Sequence, residues 1–332
     1  MHLDQRVSAF CKLGEKLRSL TPLEIHELAS SANVKNGWFT ESSVDSAFKG
    51  LGSMLEEDKL EHWVAKYNFD SEVPKIVGII MAGNIPMVGF HDLLTVLMTG
   101  HFAAIKPSSD DQVLMQTLID WIVEIEPKFK KSISIRDRLT EIDAVIATGS
   151  DNSSRYFEYY FRKIPKIIRK NRTSVAVLSG KETEEELTAF GKDIFTYFGL
   201  GCRNISKVYT PKGFDLKSIF PALEPFEEVI HHHKYRNNYD YYKSIYLVNK
   251  TPHLDTGFLL VTSTEELVSP VSNLFHQVYH NIEDLKQILD AEKDKIQCTA
   301  GVGRIPLGTT QQPDLWDYAD NVDTMDFLLA LK

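Results

Sequence analysis

Lys75-Ile-Val-Gly-Ile-Ile-Met-Ala-Gly-Asn-Ile-Pro86 is the stretch on which the fold turns. It is a short, β-branched run, apolar on both faces, that stops at a glycine. Such a run reads as a strand buried on both sides, the kind found inside parallel sheets. Residues 88–100 follow as a helix closed by Gly100, and Phe102-Ala-Ala-Ile-Lys106 as a second strand broken by Pro107. The rhythm then repeats. An amphipathic helix spans 110–125, and a third strand, Ile142–Ala147, ends in Thr148-Gly149-Ser150. A helix rich in Tyr and Phe lies at 156–161, and a strand spans Ser174–Leu178. Strands alternating with helices imply parallel pairing through right-handed crossovers, hence a doubly wound α/β sheet.

Toward the N-terminus the texture is helical. Leu3, Val7 and Phe10 recur at helical spacing, Thr21-Pro22 caps and opens a second helix, and 43–67 holds one or two more. Toward the C-terminus a helix over 184–198 is stopped by Gly199-Leu200-Gly201, and Cys202 stands in the following loop before a strand at Ser206–Thr210. Residues 220–240 look helical, strands fall near 246–248 and 258–261, and 264–287 contains a helix. From Pro306 the chain is mostly irregular, with a short helix near 323–331. These readings divide the chain into an N-terminal helical segment, 1–70, packed on a cofactor domain, 71–180. A thiol-bearing α/β domain follows, 181–305, and then a C-terminal return segment, 306–332.

Composition narrows the function. With 332 residues there is room for two cores. A net charge of −9 repels nucleic acid phosphates, so no nucleic-acid partner is expected. The one basic cluster, Arg162, Lys163, Lys166, Arg169, Lys170 and Arg172, is interleaved with Ile and Pro and reads as a solvated helix or loop face. Three scattered cysteines argue against a disulfide framework. The longest apolar runs fall short of the roughly 20 residues a membrane span needs, and the N-terminal stretch is not a secretory signal. A cytoplasmic protein is expected. His231-His232-His233 invites a metal reading, but three consecutive side chains diverge and no matching ligands stand out, so no metal is assigned.

Two positions could carry chemistry. Cys202 has glycines at 199 and 201 and a cation at 203. Glycines let the backbone pass close to a ligand, and a cation favours the nucleophilic thiolate. A small buried thiol in a turn is the plain alternative. Asn84 ends the first long strand, where ligands gather in open α/β sheets, and its amide could donate to an oxyanion. A turn asparagine is the plain alternative there. Lys106 and Ser108 end the second strand, and Gly149 and Ser150 end the third before a helix, positions that suit ribose and phosphate oxygens. No complete G-x-G-x-x-G is present. His91-Asp92 starts the helix behind Asn84 and reads as packed, and Cys11 and Cys298 read as structural.

Taken together, these segments resemble the aldehyde dehydrogenase superfamily, and within it the fatty acyl-CoA reductases of the bioluminescence (LuxC) type. The resemblance rests on Gly83–Asp92, Ala147–Asn152, Val177–Thr183, Gly201-Cys-Arg-Asn-Ile-Ser-Lys207 and Trp316–Asp320, in that order along 70–330. It implies an aldehyde-dehydrogenase-like fold with a doubly wound cofactor domain and an α/β catalytic domain. It makes Cys202 the acyl-carrying nucleophile and pairs Asn84 with the Cys202 N–H as the oxyanion hole. Lys106 and Ser108 would hold the adenosine ribose, Gly149 and Ser150 the pyrophosphate, and Glu266 the nicotinamide ribose. Hydrolytic relatives carry a glutamate base at the position matched by Val177. Its loss implies a thioester that resists water. Ser109 falls where many relatives hold both ribose hydroxyls with glutamate, which favours NADPH over NADH. The implied reaction is reduction of a fatty acyl-CoA or acyl-protein thioester to the aldehyde. A non-redox acyl carrier and an acyl-phosphate reductase remain as alternatives. The chain is shorter than typical relatives, no full oligomerisation hairpin is evident, and a homo-oligomer is left open.

Overall fold

The computed structural model describes residues 1–69 and 73–331, so the expected boundary at 70/71 lies outside the described residues. Four helices come first: α1 (Leu3–Arg18), α2 (Pro22–Asn33), α3 (Glu41–Met54) and α4 (Glu57–Val64). The expected cap of α2 is a complete capping box, in which Thr21 and Glu24 satisfy each other's backbone N–H. Then come β1 (Ile76–Ile80), α5 (Phe90–Met98), β2 (Phe102–Lys106), α6 (Gln112–Ile125), β3 (Ile133–Ile135), β4 (Ala144–Thr148), α7 (Asp151–Tyr160) and β5 (Lys166–Arg169). The strands form an all-parallel sheet in the order β3-β2-β1-β4-β5. The winding reverses between β1 and β4, the switch point at which such sheets bind ligands. The inner strands β1 and β4 are apolar up to the terminal Thr148 of β4, as in strands buried on both faces.

The second half holds β6 (Thr173–Val177), α8 (Glu184–Phe195), β7 (Ile205–Pro211), α9 (Phe220–Leu223), α10 (His233–Asn249), β8 (Leu254–Asp255), β9 (Leu260–Ser263), β10 (Asn273–Tyr279), α11 (Ile282–Ala291) and β11 (Ile296–Gly301). Its sheet runs β11-β6-β7-β10-β9-β8, parallel except for β8 against β9. The return segment carries α12 (Thr324–Leu329).

The chain divides into two compact units. One is Met1–Asn171 with Pro313–Lys332, the other Arg172–Gln312. The strand read near 174–178 therefore pairs in the second sheet, and the division falls before it rather than near residue 180. Three further readings change. Residues 246–248 are the end of α10, not a strand. Residues 264–287 hold β10 as well as a helix, and β11 follows. The basic cluster is in part the strand β5, and Arg169 is buried there. Its guanidinium donates to both Asp92 oxygens at 2.7 and 2.6 Å and to Thr324 Oγ1 at 2.9 Å. Among the described residues no helix is long and apolar enough to cross a membrane.

Candidate functional site

The first unit carries five of the singled-out residues at or just beyond the C-terminal ends of its inner strands β1, β2 and β4. Lys106 is the last residue of β2, in register with Ile80 of β1, and its carbonyl accepts from Met81 N–H at 3.1 Å. Ser108 lies two residues on, and its Oγ accepts from Asp110 N–H at 3.3 Å. Gly149 follows β4, and Ser150 caps α7 by accepting from Ser153 N–H at 3.3 Å. Asn84 stands exposed on the turn after β1.

That turn is held tightly. A side chain on Gly83 would collide with Ser108 Oγ, so glycine is required for the close approach. Buried Asn36 donates its amide to Gly83 O at 3.1 Å. Met87 adopts a left-handed conformation, φ 57°, costly for a side chain without glycine's freedom. Its N–H donates to Asp111 Oδ2 at 2.7 Å. Asp111 is 2% exposed, and its second oxygen, Oδ1, has no hydrogen-bond partner. Burial pushes this carboxyl up to about 8, partly offset by the Met87 N–H. Neither Asn36 nor Asp111 stands out in the sequence. Asp111 looks like an ordinary first-turn acid. His91 is packed as expected, with Nε2 2.9 Å from Leu315 O and its ring beside Trp63 and Tyr318.

In the second unit Cys202, half-buried, lies between the end of α8 and the start of β7. The chain reaches it through Tyr197 and Phe198, both left-handed with φ 53° and 56°, and Gly199 at φ 78°. Phe198 packs on His232 with ring centres 4.5 Å apart, and His232 also accepts from Tyr235 N–H at 3.4 Å. One of the three consecutive histidines thus has a structural task. Among the described residues no group of three His, Cys, Asp or Glu side chains is placed to hold a metal.

Asn204 pins the loop. Its buried amide donates to the carbonyls of Asp193 (3.1 Å), Ile194 (3.4 Å) and Thr196 (2.6 Å), and its Oδ1 accepts from Gly201 N–H at 2.8 Å. Asn204 N–H donates to Gly201 O at 3.1 Å. A trans peptide then turns the Cys202 N–H to the opposite side of the loop. On the other side of the cysteine, Ser174 of β6 donates its hydroxyl to Cys202 O at 2.9 Å. Both peptide planes flanking Cys202 are therefore fixed.

Ser174 also meets Cys298 of β11, accepting from its N–H at 3.2 Å with the sulfur at 3.0 Å. Cys298, read from sequence as structural, is thus a neighbour of the Cys202 loop. Arg203 hydrogen-bonds the Cys298 thiol as well, and burial pushes that thiol up. The spacing of the cysteines, 96 residues apart in sequence, gave no hint of this.

β7 carries the loop's rigidity onward. Lys207 Nζ, on a buried residue, donates to Glu265 O at 2.9 Å, and Ser206 Oγ donates to Leu267 O at 3.0 Å. Burial pulls the Lys207 ammonium down to about 8, against the pull of Glu265, Glu292 and Glu266. Glu266, exposed between these two anchors, is thereby held beside the strand that leaves Cys202. Val177 does not belong here. Ser174 pairs with Ile205, whereas Val177 pairs with Tyr209 and is buried in an apolar cluster with Tyr279, Leu285, Leu289 and Ile296. The residue of β6 that reaches the Cys202 loop is Ser174.

The sequence matches the family model described as acyl-CoA reductase (LuxC) over residues 41–216, just over half of the chain. A long-chain acyl-protein thioester reductase of Aliivibrio fischeri is 22% identical over 261 residues, covering 69% of this chain and 54% of that protein. The chain thus spans about half the length of that curated relative. Among solved structures, the NAD+ complex of an aldehyde dehydrogenase from Bacillus cereus superposes with a TM-score of 0.63 at 13% identity, over 90% of this chain and 72% of that one. Aldehyde dehydrogenase 21 from Physcomitrella patens, in complex with the reaction product succinate, gives 0.66 at 10% identity, over 90% and 73%. The fold is therefore aldehyde-dehydrogenase-like, α/β with parallel sheets and N-terminal helices.

Proposed function

This chain belongs to the LuxC family of acyl-CoA reductases, and from that premise we propose that it reduces a fatty acyl thioester to the aldehyde while Cys202 carries the acyl group. The observation that carries the reading is the loop itself. A half-buried cysteine stands between two hydrogen-bonded peptides, which fixes the direction of its Cα–Cβ bond. In the proposed first half-reaction the Cys202 thiolate adds to the thioester carbonyl. The bond to the donor sulfur then breaks, and the donor leaves with that electron pair as a thiolate. Stabilisation of the transient oxyanion is assigned to the Cys202 N–H and the Asn84 amide. Single donors of this kind are worth about 3–4 kcal/mol.

A reduced nicotinamide, when bound, supplies the hydride that turns the thioester into aldehyde. Lys106, Ser108, Gly149, Ser150 and Glu266 are the residues proposed to hold it. The strand ends fit such a group: Gly83 and Gly149 have no room for a side chain, while Lys106 and Ser150 are exposed beside them. NADPH is proposed over NADH because Ser109 carries no charge. Resistance of the acyl-cysteine to water is supported by residues 166–180, which include β6 and hold no Asp or Glu. The Aliivibrio relative takes an acyl-protein thioester, so the proposed donors are a carrier-bound acyl group and acyl-CoA.

Intact-mass spectrometry after incubation with hexadecanoyl-CoA tests this reading. An acyl adduct on Cys202 that disappears on adding NADPH, with aldehyde released, is the expected result. Cys202→Ala should show no adduct and lose activity by about 10³-fold or more. An adduct that persists with NADPH would mean an acyl carrier instead.

A further inference from the structure

We propose that Arg203, Cys298 and Ser174 form a closed hydrogen-bonded ring that positions Cys202 for acyl transfer, with Ser174 and Cys298 as positioning residues. The proposal rests on Cys202 being the acyl-carrying thiol.

The direction of every bond in the ring follows from counting protons. A serine hydroxyl has one proton and two acceptor positions. The Cys202 carbonyl can only accept, so Ser174 spends its proton there, at 2.9 Å. Both acceptor positions of Ser174 Oγ then go to Cys298, one to its N–H at 3.2 Å and one to its sulfur at 3.0 Å. An acceptor oxygen needs a donor, so Cys298 is held as S–H. Burial, the largest influence on this thiol, supports the protonated state against the opposing pull of Ser174 and Arg203. The Arg203 side chain has only donors and completes the circuit at the same sulfur.

The chain of donors therefore runs from the Arg203 guanidinium through the Cys298 thiol and the Ser174 hydroxyl to the Cys202 carbonyl. That carbonyl is bonded to the nitrogen of Arg203, which closes the ring. Donors aligned in one direction polarise one another, and a closed circuit fixes the peptide between residues 202 and 203 as a plane. β6 and β11 are paired strands of one sheet, so Ser174 and Cys298 are themselves anchored by the register around Thr173–Ile296 and Val175–Thr299. The backbone N–H of Asn204 fixes the preceding peptide independently, through Gly201 O. Two thirds of the chain's cysteines thus lie around one hydroxyl in opposite roles: Cys202 half-buried, and Cys298 locked as a proton donor.

The test compares Ser174→Ala, Cys298→Ala and Cys298→Ser, reading Cys202 acylation by hexadecanoyl-CoA and alkylation by iodoacetamide through intact mass and peptide mapping. Acylation needs the sulfur aimed at a large substrate, whereas a small alkylating agent does not. Ser174→Ala and Cys298→Ala should slow acylation by about tenfold to a hundredfold. Cys202 alkylation should stay within about threefold of the starting protein. Cys298→Ser keeps both a donor and an acceptor and should restore acylation to within about threefold. Wild-type acylation with Cys298→Ser as slow as Cys298→Ala, or Ser174→Ala acylating at the original rate, would overturn the ring. If the unaltered protein takes no acyl group from a thioester, the acyl-cysteine reading fails, and the ring is judged by labelling alone. Cys298 should then resist iodoacetamide in the unaltered protein and label in Ser174→Ala. Equal labelling of Cys202 and Cys298 at the outset would overturn it.

Discussion

The turn that carries Asn84 and the loop that carries Cys202 solve the same problem with different chemistry. Each must hold a short irregular backbone in one conformation, and each includes left-handed residues that resist it: Met87 in the turn, Tyr197 and Phe198 before the loop. The turn is held by a titratable group, the buried carboxyl of Asp111, with one oxygen on Met87 N–H and the other without a hydrogen-bond partner. The loop is held by neutral groups whose bonding capacity is well used, the Asn204 amide and the Ser174 hydroxyl. A neutral, satisfied anchor is insensitive to pH and fails only when removed. A buried carboxyl supports its turn at a cost that grows as the proton leaves. One chain therefore contains a thiol loop whose direct anchors, Asn204 and Ser174, carry no charge at any pH, and a turn whose direct anchor, Asp111, titrates.

Removing the neutral anchor should have the larger effect. Asn204→Ala orphans Gly201 N–H and the carbonyls of Asp193, Ile194 and Thr196 together. Buried polar groups left unpaired cost about 1–3 kcal/mol each, and partial rearrangement makes about 2–4 kcal/mol a reasonable total. Urea unfolding would register that loss, and Cys202 acylation should fall with it. A variant as stable as the parent across the pH range would break the contrast from the loop side.

Replacing the titratable anchor tests the other half. The Asp111 carboxyl titrates near 8 when folded and near the ordinary 3.8 when unfolded. Between those values the folded protein binds a proton that the unfolded chain has lost, so stability falls as pH rises from about 4 to about 8, by at most ~1.4 kcal/mol per pH unit. Below about 4 both states are protonated, and above about 8 both are ionised, so the contribution is flat at either end. Asp111→Asn keeps an oxygen for Met87 N–H but has no proton to lose. The difference in stability between Asp111→Asn and the parent should therefore shift in favour of the variant as pH rises through that window. Chemical denaturation at several pH values checks it, and parallel curves would remove the carboxyl from the account.

How much of this was legible in the sequence differs between the same two regions. The turn was easy to find. β1 is a bare apolar run ending in Gly83, and punctuation of that kind survives in a single sequence. The loop's glycines and cysteine were equally visible, but its support was not. Ser174 and Cys298 meet only because β6 pairs with both β7 and β11, and pairing across strands leaves no local trace. β10 was hidden for a related reason. His276, in the middle of the strand, is satisfied by Thr210 at 2.8 Å and Ser263 at 3.1 Å, partners that only the sheet supplies. The end of α10 was misread as strand because Tyr246-Leu-Val248 has strand-like composition. Tyr235, Tyr239, Tyr242 and Tyr246 nevertheless recur at helical spacing. The loop that holds Cys202 was read from Gly199-Leu200-Gly201 and the strand after it, and it stands there, whereas the apolar surroundings of Val177 come from elements far along the chain, Tyr279, Leu285, Leu289 and Ile296.

The smallest expected effect lies on the turn side, at the residue next to Ser108. Ser109 is exposed and uncharged, and its hydroxyl is 3.4 Å from Asp110 Oδ1. A nearby carboxylate therefore already exists, one residue further along, and the preference for a 2′-phosphate should be modest rather than absolute. Ser109→Glu adds a second carboxylate at the position where relatives are expected to hold both ribose hydroxyls. Two exposed charges a few ångströms apart repel by about 1 kcal/mol in water, which is about fivefold in binding. The ratio of NADPH to NADH affinity, read by fluorescence titration, should drop by that factor, while acylation of Cys202 without cofactor stays unchanged. A ratio that does not move would mean that Asp110, and not Ser109, faces the ribose. The turn's influence on the cofactor would then pass through the carboxylate next to Asp111.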